Sequence, residues 1–459
     1  MTRRSRPAVI GPGSLRAPRA RRARSGRSDL SASRTPGRAG GTGRLYTGVT
    51  HSQDTRISPT AHDPAATAPG TGPSRGLVGL LAVACGLTVA NLYYAQPLLS
   101  SLRGSFGIDT VTAGALITVT QLGYAAGMVL LVPLGDRTEK RRLVAVLLAV
   151  TTAALALSAA APAFPVLLGA ALVVGVTSVV AQILVPLAAD LAPEHARGRI
   201  VGRVMSGLLV GILLSRTVGS LVAEAAGWRV VYLASAVLMA VLAVVLRLAL
   251  PERAPTTRVP YGRLLASTAR LLREHAPLRR RALYQSAMFG AFSAFWTTVS
   301  YLLTGPGYHY SQLGVGLFAL VGAAGAAVAP LAGRWADHGR GRAATGAAFA
   351  VGAAAFAVAG AGRHSVLLLG AAAVLLDMAV QTSLIVGQHT IYRLDPAARS
   401  RLNSAFIATF FLGGALGSQL GSLAYHAGGW TALAFFGAAL PVLGLLGWLT
   451  ERRGTAPAG

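Results

Sequence analysis

From Leu77 onward the chain alternates between long apolar blocks and short polar connections. The blocks run approximately 77–99, 112–134, 143–162, 164–190, 202–224, 228–250, 283–304, 313–335, 343–362, 365–389, 402–424 and 429–449. Each is about twenty residues or longer, the length an α-helix needs to cross ~30 Å of hydrocarbon. The apolar residues do not follow the one-faced periodicity of a soluble core. Pro and Gly fall inside several blocks, which membrane helices tolerate better than soluble ones. The pattern predicts an all-α membrane protein with twelve transmembrane helices.

The polar connections orient these spans. With the amino terminus inside, the inner connections and the carboxy-terminal tail hold 23 Lys and Arg residues, eight of them in 251–282. The outer connections hold only Arg103, Arg229 and Arg363. This asymmetry predicts both termini in the cytoplasm of a cell bounded by this inner, or plasma, membrane. Composition agrees: 53% of residues are hydrophobic and 12% charged. An average soluble domain is about a quarter charged. The net charge of +27 suggests nucleic acid at first, but its placement makes the Arg residues topology determinants, and no nucleic-acid partner is expected.

Five segments follow. Residues 1–76 carry fourteen Arg, three Asp and few hydrophobics, a composition expected to stay disordered. They read either as a cytoplasmic anchor for anionic lipid or as residues upstream of the natural start. No apolar stretch follows Arg3 and Arg4 closely enough for a secretory signal. Residues 77–250 form a first six-helix bundle, 251–282 a basic linker, 283–450 a second bundle and 451–459 a cytoplasmic tail. The linker suggests an interfacial helix around Tyr261–Arg273, with Leu264, Leu265, Leu271 and Leu272 toward lipid. Cys85, the single cysteine, lies in the first block without His or Cys partners at metal spacing; no metal or other cofactor is expected.

The second bundle repeats the first. VPLGDRTEKRR (132–142) recurs as APLAGRWADHGRGR (329–342), LAPEHARGR (191–199) as LDPAARSR (394–401), and GWRVVYLASAV (227–237) as GWTALAFFGAA (429–439). Asp136 and Asp337, Pro193 and Pro396, and Trp228 and Trp430 are all separated by about 202 residues. One offset for three landmarks marks an internal duplication.

These residues carry a resemblance over about 77–450. The chain resembles a major facilitator superfamily transporter, whose motif after the second helix reads G-x-x-x-D-R-x-G-R-R. Asp136, Arg137, Lys140 and Arg141 match it, while Val132 and Glu139 replace the usual glycines. The second copy keeps Gly333 and Asp337, with His338 in place of Arg. ANLYYAQPLL (90–99), PLAADLAPEHARGRIVG (186–202), GILLSRTVGS (211–220) and FFLGGALGS (410–418) are similar to a bacterial branch of arabinose-efflux and drug-efflux permeases. The G-P-x-x-G-G element of drug/proton antiporters is replaced by SRTVGS (215–220). The resemblance implies two pseudo-symmetric six-helix bundles, with helices one, four, seven and ten around a central cavity.

Candidate functional residues are those that a bilayer core makes costly. Arg216 in the fifth block and Asp377 in the tenth are the two deep charges. Their depths differ by roughly one helical turn, which predicts that they interact across the two halves. Asp377 would exchange a proton, with Arg216 tuning it or holding an anionic substrate group. A permanent structural ion pair is the alternative. Asn91, Tyr94, Gln96, Gln121, Gln182, Trp296 and Gln381 lie at similar depth; the resemblance places most of them near substrate. Adjacent helical residues point ~100° apart, so Tyr93 and Tyr94 are not expected to face the cavity together. Asp136, with Arg137 and Arg141, reads as a gate latch docking on a helix amino terminus, which the resemblance makes that of helix eleven; Gly333 and Asp337 belong to the second copy. Gly207 and Gly211, and Gly413, Gly414, Gly417 and Gly421, have close-packing spacing and are expected at the surfaces on which the halves rock. A monomer is expected.

The function predicted is a secondary active transporter of small organic molecules, working by alternating access and coupled to protons in the direction of efflux. Import of a metabolite is the main alternative. A membrane-embedded enzyme is disfavoured: there is no HExxH, no GxSxG in a suitable setting and no cluster of carboxylates with His. A scaffold or sensor would need an ordered soluble domain. Without GxxxxGK[ST] the chain carries no P-loop for ATP.

Overall fold

A computed structural model describes residues 73–253, 259–395 and 398–451. The tail up to residue 72, the residues after Glu451 and the landmark Pro396 lie outside the described residues. Six helical spans make the first half: α1 (Arg75–Phe106), α2 (Thr110–Arg137), α3 (Lys140–Ala160), α4 (Phe164–Leu191), α5 (Glu194–Ala226) and α6 (Trp228–Ala249). The second half opens with α7 (Ala276–Thr304), followed by α8 (Gln312–Asp337), α9 (Gly341–His364) and α10 (Val366–Ile391). The last helical stretch, Arg399–Leu449, is bent at Gly428 and Gly429, where Gly429 takes φ +61°; it comprises α11 (399–427) and α12 (430–449).

Ten of these helices are long and apolar enough to cross a membrane, the bent stretch counting as one. The 29-residue α7 is also long enough to span. Its Tyr284, Gln285, Ser286, Ser293, Thr297 and Thr298 make it the least apolar of the set. It needs those polar groups because it lies inside the bundle: all but Ser286 are buried. The lipid side is apolar, with Leu248, Leu367 and Phe435 more than 70% exposed (76%, 83% and 75%).

The pairing of helices shows the duplication in three dimensions. In the first half α1 packs on α5, α2 on α4 and α3 on α6; in the second α7 packs on α11, α8 on α10 and α9 on α12. The halves meet symmetrically, α2 against α11 and α5 against α8. Several spans are interrupted, and the sequence gives the reason. Proline has no N–H for the carbonyl four residues back and its ring clashes there. Accordingly α1 loses helical form at Asn91–Tyr94, ahead of Pro97, and α2 at Leu131–Pro133. In α8 the stretch Ala323–Val328 winds as a 3₁₀ helix ahead of Pro330. In α4, Thr177 and Ser178 return their hydroxyls to the carbonyls of Val173 and Val174 at the break, a bond that bends helices.

The linker contains the expected helix, Tyr261–Glu274. Its apolar stripe does not face lipid: Leu264, Thr268 and Leu271 are buried against the protein. Spacings of four and three put these side chains on one face, and that face rests on the helical bundle. Tyr261 anchors it by donating to the carbonyl of Leu130 at 2.6 Å.

Candidate functional site

The interior between the halves is organised around one indole. Arg216 reaches in from α5, and its Nε donates to Gln96 Oε1 of α1 at 2.9 Å. The break at Asn91–Tyr94 sets the direction of Gln96. The Arg216 guanidinium lies over the Trp296 ring of α7, with Cζ 4.4 Å from the centroid. Tyr93 and Phe292 flank it at 5.2 and 5.3 Å. On the other side, Trp296 Nε1 donates to Asp377 Oδ1 of α10 at 3.2 Å. Asp377 sits against the interrupted part of α8. A Cβ at Gly322 would stand 2.5 Å from Asp377 Oδ2, and one at Gly325 would stand 2.5 Å from Asp377 Cβ. Glycine at both places lets the carboxylate approach the α8 backbone.

The interaction expected of Arg216 and Asp377 across the halves is therefore indirect, through Trp296. No contact within 4 Å joins them, because the Trp296 side chain fills the space between. The cation uses the face of the indole, where the ring quadrupole is negative. The carboxylate uses its N–H. Gln381, one turn along α10 from Asp377, is part-buried.

The remaining polar candidates divide. Gln121 of α2 crosses the interface: its Nε2 donates to Ser293 Oγ of α7 at 3.0 Å. Gln182 of α4 donates to the Tyr124 hydroxyl at 3.3 Å, and the Tyr124 ring lies 4.4 Å from that of Phe411 on α11. Asn91 points away from the interface. It accepts from Ser235 Oγ of α6 at 2.6 Å and its Nδ2 meets Met239 Sδ at 3.4 Å. Tyr94 also turns toward its own half, against Gly219. Their shared place beside α5 and α6 comes from the broken turn in α1, which rotates what a continuous helix would present. Tyr93, not Tyr94, faces the centre. The sequence also left out Phe289, Phe292, Phe410 and Phe411, which form a stacked and edge-on aromatic wall. Their spacing on α7 and α11 was the available signal.

The end of the bundle bearing the Arg-poor connections is tied shut. Among the described residues, the hydrogen bonds joining the halves begin there with Thr110–His426 and continue through Thr118–Gln419 to Gln121–Ser293. On the other flank Gln312 of α8 donates to Ser100 and Ser101 of α1 at 2.9 and 2.6 Å. Glu224 of α5 accepts from the Leu313 amide, and Thr217 donates to the Gly316 carbonyl.

At the Arg-rich end the gate-motif residues are bound largely within their own halves. Lys140 pairs with Asp190 of α4 at 2.9 Å. Arg141 reaches Glu252 at 2.7 Å and the Arg247 carbonyl. Asp136 lies within electrostatic reach of Arg401, near the start of α11, as well as of Lys140 and Asp190. Asp337 meets His389 at 3.5 Å, and Gly333 has open space around it. Arg137 sits in the short helical turn Leu134–Arg137 beside Asp136. A cluster that the sequence did not reveal also lies here: buried Glu451 pairs with exposed Arg280 at 2.8 Å and with buried Arg281 at 3.5 Å.

The glycines expected at the rocking surfaces mostly serve inside each bundle. Gly207 and Gly211 pack on the backbone of Ala82 and Gly86 of α1. Gly413 and Gly417 pack on Ser286 and Gly290 of α7, and Gly421 on Ala294. Of the six, Gly414 is the one against the other half, beside Gln121. Small residues bring two helices of one bundle into backbone contact, and the α1–α5 and α7–α11 seams repeat the same device.

Comparison with known proteins agrees with this architecture. The Major Facilitator Superfamily profile matches residues 80–391. The uncharacterized transporter YgaY of Escherichia coli O157:H7 is 40% identical over 375 residues, 82% of this chain and 95% of the relative. A probable transporter of Streptomyces coelicolor is 38% identical over 383 residues, 83% of this chain and 89% of the relative. The solved structure of the nucleoside transporter NupG matches with a TM-score of 0.66 at 16% identity, over 83% of this chain and 100% of that one. The human organic anion transporter MFSD10 matches with a TM-score of 0.63 at 18% identity, over 82% and 100% of the two chains; both structures share the fold. Paired six-helix bundles, an internal repeat, and a family match across most of the spans lead to one assignment: the chain belongs to the Major Facilitator Superfamily of transporters.

Proposed function

We propose that this transporter is a proton-coupled secondary carrier of small organic molecules, working as an exporter by alternating access. The observation that carries the coupling is the Arg216–Trp296–Asp377 arrangement, which links α5 of one half to α7 and α10 of the other. An ionised Asp377 attracts both the indole N–H and, through the ring, the guanidinium. A protonated Asp377 holds both less strongly. Proton exchange at this carboxyl thus alters a contact between the halves, which is what coupling requires. Neither charge belongs to the duplicated scaffold: at the repeat offset Arg216 corresponds to Ser418 and Asp377 to Gly175.

The asymmetry of Arg supports a cytoplasmic position for the Arg-rich end; on that orientation the arrangement described is closed toward the outside. The aromatic wall and the few polar groups beside it suit an organic molecule with apolar surface. The export direction rests on the sequence branch resembled by residues 90–99 and 186–202. Asp136 and Arg401 supply a charge pairing for the cytoplasmic gate. The carrier acts as a monomer in the cell membrane.

The test is reconstitution into proteoliposomes containing a lumenal pH dye. Compounds come from a screen comparing growth of overexpressing and deletion strains. With gradients of either sign imposed, a substrate should move protons in the opposite sense to itself. Asp377→Asn should abolish that flux while leaving counterflow of substrate. Normal pH-driven transport in Asp377→Asn would remove the proton role, and co-directional movement would establish import.

A further inference from the structure

We infer that a single halide-sized anion binds between Gln96, Arg216 and Ser300 and acts as a removable pin that holds the two halves together. The site shares Arg216 with the proton reading but not Asp377, which lies beyond the Trp296 ring, and its test reads halide binding rather than proton movement.

Three observations converge. A cavity of about 10 Å³ lies at the meeting of α1, α5, α7 and α8, with Gln96, Arg216 and Ser300 in its wall. That is room for one particle of water size. The three side chains are 1%, 4% and 0% exposed. Finally, Gln96 Nε2, Arg216 Nη2 and Ser300 Oγ are buried without a partner among the described residues, although Gln96 and Arg216 are fixed to each other through Oε1 and Nε. A buried polar group left unpaired is costly, and more so if charged.

The chemistry of the wall selects the occupant. Nε2 and Nη2 each offer two hydrogens and no lone pair, and the serine hydroxyl adds a fifth hydrogen. The rest of the wall is apolar, including Val299, Val315 and Ala319. Water needs acceptors for its own hydrogens, and of the three unpartnered atoms in the wall only Ser300 Oγ accepts. A monatomic anion needs none and neutralises a guanidinium that, among the described residues, has no carboxylate within ion-pair distance. A tetrahedral oxyanion is too large for this volume. Because Gln96 and Arg216 belong to one half and Ser300 to the other, the site exists when the halves are closed at the Arg-poor end. By mass action the anion then favours that closed state.

The test is thermal unfolding of the detergent-purified full chain at constant ionic strength, with chloride, bromide or gluconate as the anion. Chloride and bromide should each raise the midpoint saturably above gluconate. Ser300→Ala should raise the half-effective chloride concentration severalfold. Gln96→Glu, which supplies a built-in anion to Arg216, should unfold in gluconate as wild type does in saturating chloride and should show no halide response. Equal midpoints of the wild type in chloride and gluconate would mean that the cavity holds water and would overturn the inference. So would a halide response unchanged in both variants. If Ser300→Ala does not fold, bromide anomalous scattering from the wild type decides: a peak between Arg216 and Ser300 supports the site, and its absence at saturating bromide refutes it.

Discussion

Arg216 and Asp377 bind opposite aspects of the same Trp296 side chain, the guanidinium 4.4 Å above its ring and the carboxylate 3.2 Å from its N–H. The two charges thereby influence each other without contact. An intervening neutral ring makes the link weaker than a salt bridge and easier to break in each cycle. Complete burial of a direct pair would demand recovery of two desolvation costs at every opening.

Trp296→Phe separates the two functions of the ring. Phenylalanine keeps an aromatic face for Arg216 but has no N–H for Asp377. A hydrogen bond to a charged group contributes about 1.5–3 kcal/mol, so transport driven by the proposed proton coupling should fall roughly ten- to a hundredfold, and stability should fall by no more than that one bond contributes. Trp296→Ala also removes the cation–π contact and should lower stability as well. Transport and unfolding measured on the same preparations check this; unchanged transport in Trp296→Phe would show that the N–H has no part in coupling.

The glycine seams predict a graded series. A Cβ on Gly211 would overlap the backbone of Gly86, and one on Gly417 that of Gly290. Backbone cannot swing aside as a side chain does. Each alanine substitution should therefore cost about 1–3 kcal/mol by overpacking. Gly79→Ala and Gly169→Ala meet nothing within 4 Å and should be neutral or slightly stabilising through the unfolded chain. Unfolding midpoints in detergent should separate the two pairs.

Asp109 offers a pH test outside the spans. It caps α2 by accepting from the Thr112 amide at 2.7 Å. That bond, foremost, holds its carboxyl below the usual carboxylate range. A group with a depressed folded value contributes stability above its unfolded value, and loses it as pH falls through the folded one. Asp109→Asn keeps a capping side chain and removes the titration. The stability difference between wild type and Asp109→Asn should be constant near neutrality and shift against the wild type on acidification below the ordinary Asp range. A difference that stays flat in acid would show that the cap does not titrate.

The fold was legible because its determinants are local. Span length, the Arg asymmetry and the repeat offset of Trp228 and Trp430 need no knowledge of packing. The candidate site was legible as a set of residues and less so as directions. Arg216, Trp296, Gln96 and Asp377 stand out as polar groups at depth, and all four gather at the centre. Tyr93 and Tyr94 were not separable, because the break before Pro97 interrupts the helical register that a sequence reader extrapolates. Asn91 went to α6 for the same reason. The Glu451–Arg281 pair depends on where α12 ends beside α7, a relation between distant segments that no periodicity records.

Closure at the Arg-poor end rests on few bonds, and Gln312 makes two of them, to Ser100 and Ser101. Each hydrogen bond contributes about 0.5–1.5 kcal/mol net. Gln312→Ala should therefore move the closed–open equilibrium by roughly five- to a hundredfold. Its effect on folding should be smaller, because each half keeps its own helix pairs. The measurement is the distance between spin labels at Gly104 and Gly307, both with open surroundings. It is made in a Cys85→Ser background, which removes the single native cysteine. In Gln312→Ala the long-distance population should grow at the expense of the short one. The retained bonds from Glu224 to Leu313 and from Thr217 to Gly316 should keep the change partial, and adding Glu224→Ala should extend it. A distance distribution identical to that of the unsubstituted chain would mean that the Gln312 contacts follow closure without stabilising it.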